Sequence, residues 1–125
     1  MGYPWSTGDQ LTAADLNAVR RQVVIGSDQT GSTYTLVLTD AGALVEMNKS
    51  TAQTLTVPPN SSVAFPTGTR IAVRQKGAGQ VTFSPGSGVT LQSFANHLKT
   101  AGQYAVAFLV KVATDTWILD GTVDA

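Results

Sequence analysis

The sequence predicts a mainly β protein, an antiparallel β-sandwich or small barrel preceded by a short N-terminal α-helix. Three observations carry this. Short runs of alternating apolar residues recur at roughly regular spacing, punctuated by glycine and proline. The stretch "GDQLTAADLNAV", Gly8 to Val19, has the pattern of a helix start. The composition is 42% hydrophobic but only 13% charged over 125 residues, which suits one packed core under a surface of Thr, Ser, Gln, Asn and Gly. The expected organisation is an arm and helix over 1–26, serving as anchor and oligomerisation segment, and a surface-displayed β domain over 33–125.

The helix is specified locally. Thr12 is the expected N-cap, and Asp15 is placed to reach back as in a capping box. Leu11 before the cap and Leu16 after it have the spacing of a hydrophobic staple. Leu16, Val19 and Val23 form a narrow apolar stripe. Arg20 and Arg21 fall in the last turn, where they complement the helix dipole, and Gly26 is the expected stop. A helix this short needs a docking partner, either its own domain, copies of itself or another protein. Before it, "MGYPWSTGD" is an aromatic arm whose Tyr3 and Trp5 are expected to bury against a neighbouring chain.

Beyond a polar connector, Ser27 to Ser32, the period becomes alternating. Tyr34, Leu36 and Leu38 share one face of "TYTLVLT". Leu44 to Met47 and Thr54 to Val57 continue as short strands, separated from the next by "PPN" and "PTG" turn chemistry. In "RIAVRQ", Ile71 and Val73 point inward and Arg70 and Arg74 outward. "KGAGQ" and "PGSG" then turn the chain into "VTF" and "VTL", one echo rather than a solenoid period. Ser93 to Gly102 reads as a polar loop. Tyr104 to Val112 is the longest expected strand, with Tyr104, Val106, Phe108, Val110 and Val112 on one face and alanines on the other, which suggests that both faces are covered. "ATDT" forms a hairpin into Thr116 to Leu119, and Tyr104 and Trp117 are expected in the core.

The inventory offers little chemistry. The net charge is zero and the pI about 6.5, so no electrostatic footprint points to nucleic acid. There is no cysteine and one histidine, which removes disulfides, thiolates and His-based metal cages. No secretion signal or membrane-spanning run is recognisable, so a soluble protein without membrane insertion is expected. His97 lies in a polar loop without a nucleophile elbow. Asp9, Asp15, Asp28, Asp40, Asp115 and Asp120 sit in turn or cap contexts, and Glu46 is a strand residue whose alternation points outward. The glycine pair of "KGAGQ" leads into a strand, not a helix, and is no phosphate loop. No catalytic residue, cofactor or metal is expected. Candidate contact loops are Pro58 to Pro66, with Asn60, and Ser93 to Lys99, with Asn96 and His97.

The stretch "WSTGDQLTAADLNAV" resembles the N-terminal segment of tail-fibre and minor tail proteins of tailed bacteriophages. "AGALVEMNKSTAQTLTVPPNSSVAFPTGTRIAVRQKGAGQVTFSPGSGVTL" and "TWILDGTV" are similar to a β module of phage fibre and virion-surface proteins. Together these cover most of the chain. The resemblance implies a non-enzymatic virion component, made in the host cytoplasm, commonly homotrimeric and held to other virion proteins by its N-terminal part. It implies display on the particle for attachment to a host-surface glycan. Long shaft and tip domains are missing, so a short head fibre or capsid decoration protein is the alternative. A free carbohydrate-binding module is the reading from another class.

Overall fold

The structure, a computed structural model, describes residues 23–125. The expected arm (Tyr3, Trp5) and helix (Leu11, Thr12, Asp15, Leu16, Val19) lie outside the described residues. The described chain is mainly β, in two mixed sheets. Its strands are β1 (Val24–Gln29), β2 (Thr33–Thr35), β3 (Ala43–Met47), β4 (Gln53–Val57), β5 (Arg70–Gln75) and β6 (Val81–Pro85). They continue as β7 (Thr90–Ser93), β8 (Lys99–Thr100), β9 (Val106–Ala113), β10 (Thr116–Gly121) and β11 (Val123–Asp124).

From β1 to β8 the chain changes sheet at every strand. The six-stranded sheet has the order β1-β3-β5-β9-β10-β7 and the five-stranded sheet the order β11-β8-β6-β4-β2. Three successive coils therefore lie side by side. β1, β3 and β5 pair in parallel in one sheet, and β2, β4 and β6 pair in parallel in the other. Antiparallel pairing is confined to the contacts of β9 with β5 and β10, and of β8 with β6 and β11. The antiparallel sandwich is thus corrected to two mixed sheets. The glycine- and proline-rich stretches read as hairpins are mostly corners at which the chain crosses to the opposite sheet. A parallel neighbour needs such a crossover.

Register makes the coils equivalent. Tyr34, Leu55 and Phe83 stand side by side on β2, β4 and β6 and point toward the core. Val45, Val73 and Ala107 form a corresponding inner row on β3, β5 and β9. With Met47, Val57, Ile71, Leu109, Trp117 and Leu119 these make one apolar core, whose burial is the main stabilising term. The corners also stack. The "KGAGQ" corner lies on the preceding one, with the Gly79 N–H donating to Lys49 O at 2.8 Å. A Cβ at Gly77 or Gly79 would overlap the backbone of Lys49 or Thr51. These glycines are there for close approach between turns.

Buried glutamines complete the corners. Gln53 Nε2 donates to Gln29 O at 2.8 Å and Gly31 O at 2.9 Å. Gln75 Nε2 donates to Gly77 O and Ala78 O one coil further on. Both side chains are buried, and each satisfies corner carbonyls that no strand can reach.

Four local expectations are corrected. Gly26 does not end a helix but lies inside β1, because Val23, Val24 and Ile25 make a β-branched run that favours a strand. Leu38 leaves the alternation after Leu36 and opens a 3-10 turn, where it is exposed. Tyr104 precedes β9 with φ 70° and is 63% exposed, so it is not a core residue, whereas Trp117 is. In β9 the alternation is inverted: Ala107, Leu109 and Lys111 face the core, while Val106, Phe108, Val110 and Val112 face outward. The core is already filled by Trp117, Phe83, Met47 and the leucines, which leaves room for the smaller face of β9.

Candidate functional site

Among the described residues Glu46, Asp28, Asp40 and Asp115 are engaged by local partners. Glu46 lies on the outer face of β3 yet is only 4% exposed, because Arg74 on β5 covers it. Arg74 Nε and Nη2 each donate to one carboxylate oxygen of Glu46 at 2.6 Å, a two-pronged ion pair. Asp28 belongs to β1 rather than a turn. It accepts from Asn48 Nδ2 at 3.0 Å and from Lys76 Nζ at 3.1 Å, and these partners, Asn48 first, hold its carboxyl below the usual range. Asp120 likewise lies in a strand, β10. Asp40 does cap its turn, accepting from the Val37 N–H at 2.9 Å and from the Tyr34 hydroxyl at 2.6 Å. Among the described residues no three His, Cys, Asp or Glu side chains gather in a way that could hold a metal ion. No helix among them is long and apolar enough to cross a membrane.

The two candidate contact loops differ in construction. The β4–β5 connection, Pro58 to Thr69, is fastened to the body. Its Asn60 N–H donates to Asp115 Oδ1 at 2.8 Å, and Lys111 Nζ donates to Asn60 Oδ1 and to Phe65 O, each at 2.7 Å. Phe65 is buried and meets the Trp117 ring edge-to-face, with centroids 5.5 Å apart. Asn60 is therefore tied inward.

The β7–β8 connection carries a 3-10 turn at Phe94–Asn96. Ser93 Oγ donates to His97 O at 2.6 Å and closes the loop on itself. Ala95 and Asn96 take left-handed conformations, φ 52° and 57°, which point Phe94 outward at 83% exposure. His97 packs edge-on to the Phe94 ring, and Lys99 begins β8. Ser93, Asn96, His97 and Lys99 are thus brought together. Asn60 is not with them: it adjoins Asp115, which precedes β10, whereas Ser93 ends β7 at the level of Leu119. Val23 is exposed beside the edge strand β1.

Two features lie outside the sequence expectations. Phe94 is one, and a lone phenylalanine in a polar loop is the usable signal for such an outward aromatic contact. The outer face of the six-stranded sheet is the other. There Val106, Phe108 and Val110 are half-buried, Val112 and Ile118 are exposed, and Arg70 lies over the Phe108 ring at 5.1 Å. Comparison of the chain with protein-family models, curated proteins and solved structures finds no match.

Proposed function

We propose that the protein is a non-enzymatic virion component of a tailed bacteriophage, fibre-like or spike-like, displayed on the particle and used for attachment to the host surface. The observation that carries this reading is the resemblance of "WSTGDQLTAADLNAV" and of the β module to phage fibre and virion-surface proteins. The construction of the β body is compatible with it. Stacked corners and buried glutamines give a stiff scaffold, and the loop around Phe94 presents an aromatic ring with polar neighbours, a combination suited to contact with a sugar.

In this reading residues 1–22 hold the chain to other virion proteins and to copies of itself as a homotrimer. The Phe94–Lys99 loop meets the host glycan. No catalysis is assigned, because the described carboxylates with local partners are engaged in capping or pairing. A capsid decoration role is the second reading, favoured by the apolar patch of Phe108, Val110, Val112 and Ile118 on the outer face of the six-stranded sheet, which suits docking on a shell.

The test is protein composition and electron microscopy of purified particles that carry this gene. Density for the chain on the tail supports the first reading and density on the capsid the second. A chain missing from purified particles would overturn both. Deleting residues 1–22 is expected to abolish attachment while preserving the β body, since β1 then remains paired with β3.

A further inference from the structure

We propose that Lys111 and Asn60 join in an intramolecular isopeptide bond, a covalent staple in a chain that has no cysteine. Lys111 is 2% exposed on the inner face of β9, where its register partner is Trp117. Lysine is almost never buried unless paired with an opposite charge. Here the ion pairs among the described residues are Glu46 with Arg74 and Asp28 with Lys76, and Lys111 has none. Its amine points instead at two neutral oxygens, Asn60 Oδ1 and Phe65 O, each 2.7 Å away.

That geometry is the approach to acyl transfer. An ammonium only donates, so the carboxamide oxygen, not its nitrogen, faces Nζ. Cγ lies one bond of about 1.2 Å beyond that oxygen, and a small rotation of the carboxamide brings it to the roughly 3–3.5 Å of a near-attack arrangement. Nζ passes one proton to Asn60 Oδ1, its acceptor at 2.7 Å, and attacks Cγ; Oδ1 later returns that proton to the departing ammonia. The Nζ–Cγ bond forms, the Cγ–Nδ2 bond breaks, and a second proton passes from Nζ to the departing nitrogen, which leaves as ammonia. With the first proton the product is ammonium, so the buried charge exits the core. No oxidant or co-reactant is needed. Asn60 Nδ2 has no partner among the described residues and Asn60 is half-exposed, which gives the ammonia a way out. Asp115 is a positioning residue: its Oδ1 holds the Asn60 N–H at 2.8 Å, and it does not reach Lys111.

The bond is independent of any virion role. Intact mass of the purified full chain is expected about 17 Da below the sequence mass, one ammonia. A tryptic digest should contain a branched peptide that joins the segments around Asn60 and Lys111. Lys111→Arg and Asn60→Ala proteins should keep the full mass. Asp115→Ala should slow the mass loss, and Asp115→Asn, which retains an acceptor, should restore it. Full mass in folded wild-type protein after prolonged incubation would overturn the proposal. So would a mass loss without the branched peptide, because a succinimide at Asn60 has the same mass. This peptide map decides the matter even if a variant fails to fold. An Asp115→Asn protein as slow as Asp115→Ala would overturn the positioning role.

Discussion

The β4–β5 and β7–β8 loops carry similar polar residues, yet one is part of the core and the other is a display. The first sends Phe65 beneath Trp117 and offers Asn60 to a buried lysine. The second closes only on itself, through Ser93 and His97, and leaves Phe94 in solvent. The difference lies in what each loop crosses. A loop that passes over the end of a sheet must satisfy the polar groups buried there, whereas a loop beyond a sheet edge need only satisfy its own. Polar composition therefore does not identify a binding loop.

The strongest way to break the contrast is Asn60→Ala. Loss of the covalent staple costs about 4 kcal/mol of chain entropy, and the change also leaves Lys111 as a buried ammonium without that acceptor. The urea midpoint is expected to fall markedly and the slope to steepen, because the unfolded chain is no longer cross-linked. A midpoint within error of wild type would mean that the first loop is as free as the second.

Next in size is Gly86→Ala. Gly86 donates its N–H to Val57 O at 2.8 Å, and a Cβ there would stand 2.8 Å from that oxygen and 2.9 Å from Pro59 Cδ. Val57 ends β4 and Pro59 opens the fastened loop, and neither can swing away. A loss of about 1–3 kcal/mol is expected, the usual cost of overpacking.

Tyr34 sharpens the contrast by adding a loop of intermediate kind, the turn after β2, fastened through the hydroxyl bond to Asp40. Burial first, and then that hydrogen bond, push the Tyr34 hydroxyl above its ordinary value. The folded state keeps this proton where the unfolded chain loses it. The contribution is thus complete below the ordinary tyrosine value of about 10 and is lost as the pH rises above it. Urea midpoints measured up through this alkaline range should fall more steeply for wild type than for Tyr34→Phe. Parallel curves would show that the turn is not fastened in this way.

These effects bear on what the sequence made legible. The β class, the inward Ile71 and Val73, the outward Arg70 and Arg74, the burial of Trp117 and the β9–β10 hairpin all follow from local alternation and turn chemistry. Strand direction did not. A glycine-rich corner that crosses between sheets uses the same residues as a hairpin, and the unequal intervals separating Tyr34, Leu55 and Phe83 hid the coil repeat. The orientation of β9 runs against local pattern, because bulky residues on a strand usually face the core, and here the inner face carries Ala107, Leu109 and Lys111. Asn60 has the local signature of a contact loop, because its partner lies 51 positions away and no local pattern encodes that pairing. The loop at Ser93 to Lys99 was easier, since its bonds are internal.

The smallest expected effects lie in that display loop, and they are the most telling about function. Ala95→Gly relieves a left-handed alanine but loosens the unfolded chain, and the two terms leave a change below about 1 kcal/mol. Phe94→Ala removes a ring that is 83% exposed and touches little besides His97, so stability should move by less than about 0.5 kcal/mol. His97→Ala should be equally quiet. If the loop is the host contact, Phe94→Ala should instead reduce retention of the purified protein on host cells or cell-wall polysaccharide by tenfold or so, the roughly 1.4 kcal/mol expected of one aromatic anchor. Asn60→Ala, assayed at a temperature where it remains folded, should bind as wild type does. The reverse outcome, with retention sensitive to Asn60 and indifferent to Phe94, would move the contact surface to the fastened loop, because a loop locked in one geometry also binds at low entropic cost.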